Sequence, residues 1–554
     1  MPLPSSLIRQ VLATCLGAAV SLGAIAAPRT VCTITVNSPD ERESFRRHLP
    51  AGDYRFVELV ERGRPDWLAS ACQQKVQCDA LIISGHFDGG TEFYTDRHDN
   101  SEYLSVEEME RASCSDSCPG VFSQLKEVYL FGCNTLKTEA RQTVTEDIVR
   151  GLLRSGHTAA DASRVASLLG DQHAESNRDR MRAIFKDVPV VYGFSSLAPL
   201  GRTAGPLLDK YFQSATVPEI GSGQVSTKLM AAFSNTALTV TPGLSEAESK
   251  ATLRRDACQF VDDRLSPAQK VAFMHQVLKR DMAEVRMLLG HLERFAASLG
   301  PAQRIAGTTA TAFETIAGDH GTRGRFLESA RDADEASVRT RMMALARNVG
   351  WLTPAQEQAE FMRTIADQIA RGRVGRDEVD LACGRGRLDG QDPALHTLAA
   401  GVLKTGKVAQ VAAMACLGSP EAHARVVRAV TSAHADDIAI AQAYLRHRPL
   451  ADAGEVRSVA SAIAKMPASD AQVRAIETLA QQRVSDPESL RAIAALFPLA
   501  KSVQVQRAIA GVLIRSDYRV LGQADLARTL KQHRLKSPDG GDVIDALLRV
   551  LQAG

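Results

Sequence analysis

Five short runs rich in β-branched and aromatic residues, all before residue 195, constrain this chain most. They are VCTITV (Val31–Val36), YRFVELV (Tyr54–Val60), DALIIS (Asp79–Ser84), LKEVYLFG (Leu125–Gly132) and VPVVYGF (Val188–Phe194). Runs of this length and composition read as strands. Helical spacing occupies the intervals. RPDWLASACQQKV (Arg64–Val76), for example, has a proline near its start and apolar residues on one helical face. Strands separated by helices imply a largely parallel sheet between helical layers. Ligands of such sheets bind beyond the carboxyl ends of the strands. The residues just after each run therefore carry the functional expectation.

The pattern changes after Pro242-Gly243. Strand-like runs stop, and alanine, leucine, arginine and glutamine dominate. EVRSVASAIA (Glu455–Ala464), QVRAIETLAQ (Gln472–Gln481), SLRAIAALFP (Ser489–Pro498) and QVQRAIAGVL (Gln504–Leu513) resemble one another. Their arginines, Arg457, Arg474, Arg491 and Arg507, are 17, 17 and 16 residues apart. One amphipathic helix plus a turn fits each unit, so two units make a hairpin of about 33 residues, and stacked hairpins make an α-solenoid. The expected organisation is an α/β domain over 28–243, a helical region over 245–400, and HEAT-like helical repeats over 401–554.

The N-terminus predicts export. Arg9 precedes the apolar stretch VLATCLGAAVSLGAIAA, and Ala24-Ile25-Ala26 is a small-residue cleavage pattern, so residues 1–26 read as a signal peptide. No later segment is apolar for long enough to span a bilayer. The net charge of +2 and the absence of a basic stripe give nucleic acid no footprint. Of ten cysteines, nine follow the signal segment. An oxidising compartment pairs cysteines, so an odd number leaves one thiol over. CSDSC (Cys114–Cys118) reads as part of a disulfide framework, and it lies just before the fourth strand. TDRHDNSE (Thr95–Glu102) gathers oxygen ligands without EF-hand spacing and reads as a solvated loop. No metal or cofactor is predicted, because P-loop, GxGxxG, HExxH and GxSxG signatures are absent. C-x-x-C is absent too, which weighs against thiol–disulfide exchange.

Two strand exits match in form. DALIIS runs into Gly85-His86, and LKEVYLFG runs into Cys133. A thiol becomes a strong nucleophile beside a base. Adjacent parallel strands end on one sheet edge, which would bring His86 and Cys133 together across 47 residues of sequence.

The segments LIISGHFDGG, YLSVEEMERA, LKEVYLFGCNT and VPVVYGFSSLAPLGRTAGPLLDKYF together resemble the caspase-like cysteine peptidases, closest in style to the bacterial CHAT branch. The likeness covers roughly 30–240. The caspase signature Q-A-C-[RQG]-G is replaced here by FGCNT. The resemblance implies a cysteine endopeptidase with Cys133 as nucleophile and His86 as general base and acid. It also implies an oxyanion hole from the backbone N–H groups of Cys133 and Phe87. Phe87 stands where that family commonly has glycine. Asp88 and Glu92 are candidates to orient the imidazole or shape the pocket, and the segment Tyr192–Arg202, with Phe194, Ser195 and Ser196, to border the substrate groove. The partners implied are a polypeptide substrate and a protein held by the helical repeats, in a periplasmic or secreted location. The competing expectation is a catalytically degenerate scaffold that binds protein.

Overall fold

The computed structural model of the chain describes residues 27–59, 68–87, 90–95, 102–115, 119–140, 146–154, 156–214, 220–385, 401–450, 452–482, 484–535 and 543–553. The predicted signal peptide, Asp88, Cys118 and most of the TDRHDNSE loop lie outside these residues. The chain divides into two compact units, Met1–Ile316 and Ala317–Gly554.

In the first unit, the elements that position the site are β1 (Arg29–Thr35), α1 (Asp40–His48), β2 (Tyr54–Glu58), β3 (Ala80–Ser84), β4 (Glu92–Tyr94) and β5 (Tyr103–Ser105). They continue with α2 (Val106–Cys114), β6 (Glu127–Phe131), α3 (Asn177–Ile184), β7 (Val190–Phe194), α4 (Gly201–Ser214), β8 (Leu238–Thr241) and α5 (Ala251–Val261). All five predicted strands form. They lie in one six-stranded sheet of order β2-β1-β3-β6-β7-β8. Every neighbour pair is parallel except β7 with β8, which closes the sheet with an antiparallel edge. The strands β4 and β5 form a separate antiparallel hairpin.

Successive side chains of a strand point to opposite faces, and both faces of this sheet are buried. Cys32, Ile34, Leu81, Ile83, Val128 and Leu130 face one core, which α2 and α3 cover with Met109, Met181 and Ile184. Val31, Ala80, Ile82, Tyr129 and Tyr192 face the other, covered by Phe45 of α1 and Leu208 and Phe212 of α4. Full burial on both sides explains why these strands read as continuous apolar runs rather than alternating ones. The buried Phe45 ring contributes about 1.5–3 kcal/mol by leaving water.

Disulfides brace this unit. Cys32 of β1 bonds Cys78 just before β3, and Cys114 at the end of α2 bonds Cys258 of α5, 144 residues away. Cys72 is also disulfide-bonded. Half of the CSDSC motif is thus a long-range cross-link. No helix among the described residues is long and apolar enough to cross a membrane.

Every described element after β8 is helical. In the second unit, helices stack on alternate neighbours. Val408–Cys416 packs on Ala435–His447, which packs on Asp470–Ala480, which packs on Val503–Ile514. Pro420–Ala429, Ala453–Ala464 and Pro487–Ala494 form the second row. The four similar sequence segments each fall on one of these helices, so the repeating unit is the two-helix pair that the arginine spacing implies. A second disulfide-braced core, with Cys383–Cys416, runs between the rows.

Candidate active site

The site sits where β3 and β6 end. These strands are parallel neighbours whose last residues, Ser84 and Phe131, are in register. Gly85 continues the ladder one step further, donating its N–H to the Phe131 carbonyl at 3.1 Å. His86 then leaves the sheet and pairs with the hairpin instead. It exchanges both backbone hydrogen bonds with Tyr94, each at 2.9 Å, and the two rings lie 5.5 Å apart. The hairpin thereby fixes the main chain that carries the imidazole. Ser105 caps the helix behind it, its hydroxyl accepting from the Glu108 N–H at 3.1 Å. The helix starts within the segment YLSVEEMERA.

Cys133 opens a tight turn after β6. Asn134 takes the left-handed conformation, φ 60°, which asparagine tolerates better than most side chains. Its N–H donates to the Ser196 carbonyl at 2.7 Å, and the Asn177 side chain donates to its carbonyl at 3.0 Å. Thr135 is fully buried. Its hydroxyl donates to the Gly132 carbonyl at 3.1 Å and accepts from the Phe194 N–H at 3.0 Å. The Leu136 N–H donates to the Phe194 carbonyl at 2.9 Å. The GCNT turn is therefore stitched to the exit of β7. The Ala198 N–H, just beyond that exit, donates to the Cys133 sulfur at 3.3 Å.

His86 and Cys133 line the same cleft, of about 340 Å³ counting the open space at its mouth. Both side chains are half-buried. Cys133 is the free cysteine among the described residues. The backbone N–H groups of Phe87 and Cys133 donate to no other described residue.

Phe87 turns away from the cleft. It is fully buried in the core beneath, with its ring 4.7 Å from that of Phe93. Gly132 makes this possible: a Cβ there would stand 2.8 Å from the Phe87 Cβ. The aromatic side chain thus fills space left by a neighbouring glycine and leaves the strand exits open.

The other predicted residues fall elsewhere. Glu92 lies on β4, pairs with Ser105, and does not line the cleft. Phe194 is buried in the core with Phe131 and Phe233. Ser195 and Ser196 are exposed; the Ser195 N–H and hydroxyl donate to the Ala237 carbonyl, and the Ser196 carbonyl accepts from the Asn134 N–H. The wall of the cleft is the later part of the Tyr192–Arg202 segment, Ala198 to Gly201. Gly201 closes it, because a Cβ there would collide with the Ser38 side chain at the β1–α1 turn.

Asn37, Ser38, Glu41 and Ser84 line the cleft without a counterpart in the sequence expectations. Glu41, in the first turn of α1, lines the same cleft and is only 3 % exposed. The Ser84 hydroxyl lies 2.7 Å from its carboxyl and 3.0 Å from the Ser38 carbonyl oxygen. A hydroxyl has one proton to donate. Both contacts are satisfied when Ser84 donates to Ser38 and a protonated Glu41 donates to Ser84. Burial pushes the Glu41 carboxyl up to about 7, against the lowering effect of the Ser84 contact, so it holds its proton close to neutrality.

The fold and site define an α/β domain with a largely parallel sheet and a cysteine–histidine cleft at its carboxyl edge. No protein-family model matches the chain, and neither a curated protein nor a solved structure does.

Proposed function

We propose that the chain is an exported, caspase-like cysteine endopeptidase whose helical half, a HEAT-like array, holds the polypeptide substrate or a protein partner. The observation that carries this reading is the shared cleft. Two strand-end side chains of complementary chemistry, His86 and Cys133, line it. The cysteine is spared the cross-linking that takes up the other described cysteines.

In the reaction, His86 takes the thiol proton and the Cys133 sulfur attacks the scissile carbonyl carbon. The carbonyl oxygen becomes an oxyanion facing the Phe87 and Cys133 N–H groups. Collapse expels the amine, which leaves with the proton from His86, and a thioester remains. Water, deprotonated by His86, then releases the acid and restores the thiol. The Ala198 N–H contact to sulfur strengthens as that sulfur gains charge. The burial of Phe87 supports the reading, because it leaves room for the substrate at the histidine.

Cys133→Ala is expected to lower peptide hydrolysis at least about a thousandfold. A thiol-directed peptide electrophile should label the parent chain and not this variant. Undiminished cleavage by Cys133→Ala would overturn the reading.

A further inference from the structure

Among the residues lining the cleft, the acid is Glu41, and no lysine or arginine accompanies it. The rest of the lining is either neutral and polar, as Asn37, Ser38 and Ser84, or apolar, as Ala198, Pro199 and Leu200. Its carboxyl sits beside Ser84 at the end of β3, two residues before His86, in the same cleft as the histidine and the thiol. The charges nearby are otherwise engaged. Arg42 is paired with Glu43 and Glu58, and Asp209 of α4 is paired with Arg47 and His48 at the far end of α1. Asp40, on the same helix, adds negative potential. Across the cleft the titratable groups are His86 and Cys133.

We infer that Glu41 is the selectivity residue of this cleft, admitting cationic groups and, on the endopeptidase reading, selecting a lysine or arginine side chain beside the scissile bond. A cation entering the cleft meets one buried carboxyl, already hydrogen-bonded to Ser84 and so held in place. Desolvated charge-assisted contacts of this kind discriminate strongly, because an anion placed there leaves two like charges out of water. A neutral side chain forms no ion pair with the carboxyl and gains nothing from it. The ion pair requires ionised Glu41, so selection strengthens from pH 6 to pH 8, the range over which this carboxyl loses its proton.

Two probes of Cys133 read this without any peptidase activity. Aminoethyl methanethiosulfonate carries a positive charge and sulfonatoethyl methanethiosulfonate a negative one. Both react by the same step, in which the Cys133 sulfur bonds the thiosulfonate sulfur and methanesulfinate leaves. Cys133→Ala identifies the labelling that belongs to this thiol. In the parent chain at pH 8 the cationic reagent should react at least about tenfold faster than the anionic one, once their solution reactivities toward a free thiol are divided out. Glu41→Gln should bring that ratio to within about twofold of unity, and lowering the pH to 6 should reduce it in the parent. A ratio unchanged by Glu41→Gln overturns the inference.

Peptides with arginine, alanine or glutamate before the scissile bond separate this inference from the reading beneath it. Preference for arginine that Glu41→Gln abolishes, with alanine peptides still cleaved, supports both. Charge-selective labelling with no cleavage of any peptide keeps the selectivity residue and overturns the peptidase. Cleavage that falls equally on all three peptides in Glu41→Gln makes Glu41 a positioning residue and overturns the selectivity.

Discussion

At the scale of single residues, Glu41 carries a cost that can be measured. A carboxyl whose folded value lies above its unfolded value binds its proton more tightly in the folded chain. Its contribution to stability is complete below the unfolded value near 4.5 and is lost as pH rises through about 7. The size of that shift corresponds to about 3 kcal/mol. Glu41→Gln keeps the shape and a donor for Ser84 but cannot ionise. It should therefore be more stable than the parent by up to about 3 kcal/mol at pH 9, and by less than about 1 kcal/mol at pH 5. Urea unfolding at the two pH values checks this. A gain that is larger at pH 5 would contradict the burial argument. Glu175, buried beside Arg180 and Glu110, is raised as well, but it is present in both proteins and cancels. Destabilised acids of this kind collect at functional clefts. In the sequence, Glu41 reads as an ordinary acidic residue of a first helical turn, suited to the helix dipole. What marks it is its place on the face of Phe45 and Ser44, the face α1 buries. That signal depends on knowing which side of α1 meets the sheet.

At the scale of elements, legibility follows length and composition. The five long β-branched runs announce themselves because both faces are buried. The strands β4, β5 and β8 have three or four residues each and stay below any periodic signal. The hairpin they include is what orients His86, so half of the support for that residue is hidden in sequence while the histidine itself is plain. The groove shows the same division. The segment after β7 is recognisable, but backbone bonds from Asn134 and Leu136 hold its first residues down, and the open wall begins at Ala198. In the helical half, the repeated arginines that disclose the period are mostly outward-facing, whereas the joints between repeats are buried glutamines. The Gln506 amide donates to the Phe497 and His533 carbonyls and accepts from the Leu535 N–H. Gln472 donates to the Ile463 and Met466 carbonyls in the preceding pair. Gln506→Ala removes the partner of three backbone groups, that of Phe497 buried, and should cost about 2 kcal/mol. Arg491→Ala, at an exposed repeat position, should stay within about 0.5 kcal/mol. Urea titration of both variants distinguishes the joint from the marker.

At the scale of the whole molecule, the chain joins two kinds of architecture with different folding demands. The first unit pairs strands distant in sequence, a topology that forms slowly. The second is built from helices that touch near neighbours, as repeat arrays do, so its stability is a sum of short-range terms. Its core is made from its own helices and its disulfide, Cys383–Cys416, closes within it. A fragment spanning 317–554 should therefore fold by itself, with a helical circular-dichroism spectrum and a cooperative urea transition. The disulfide closes a 33-residue separation, and in the chain-entropy account its loss costs about 2–4 kcal/mol. Reduction should shift the fragment's transition to lower urea by that amount and keep the helical spectrum at low denaturant. A fragment that is unfolded even when oxidised would show that the helical array depends on the α/β unit. In that case, the recruitment role proposed for the array would have to be tested in the full chain.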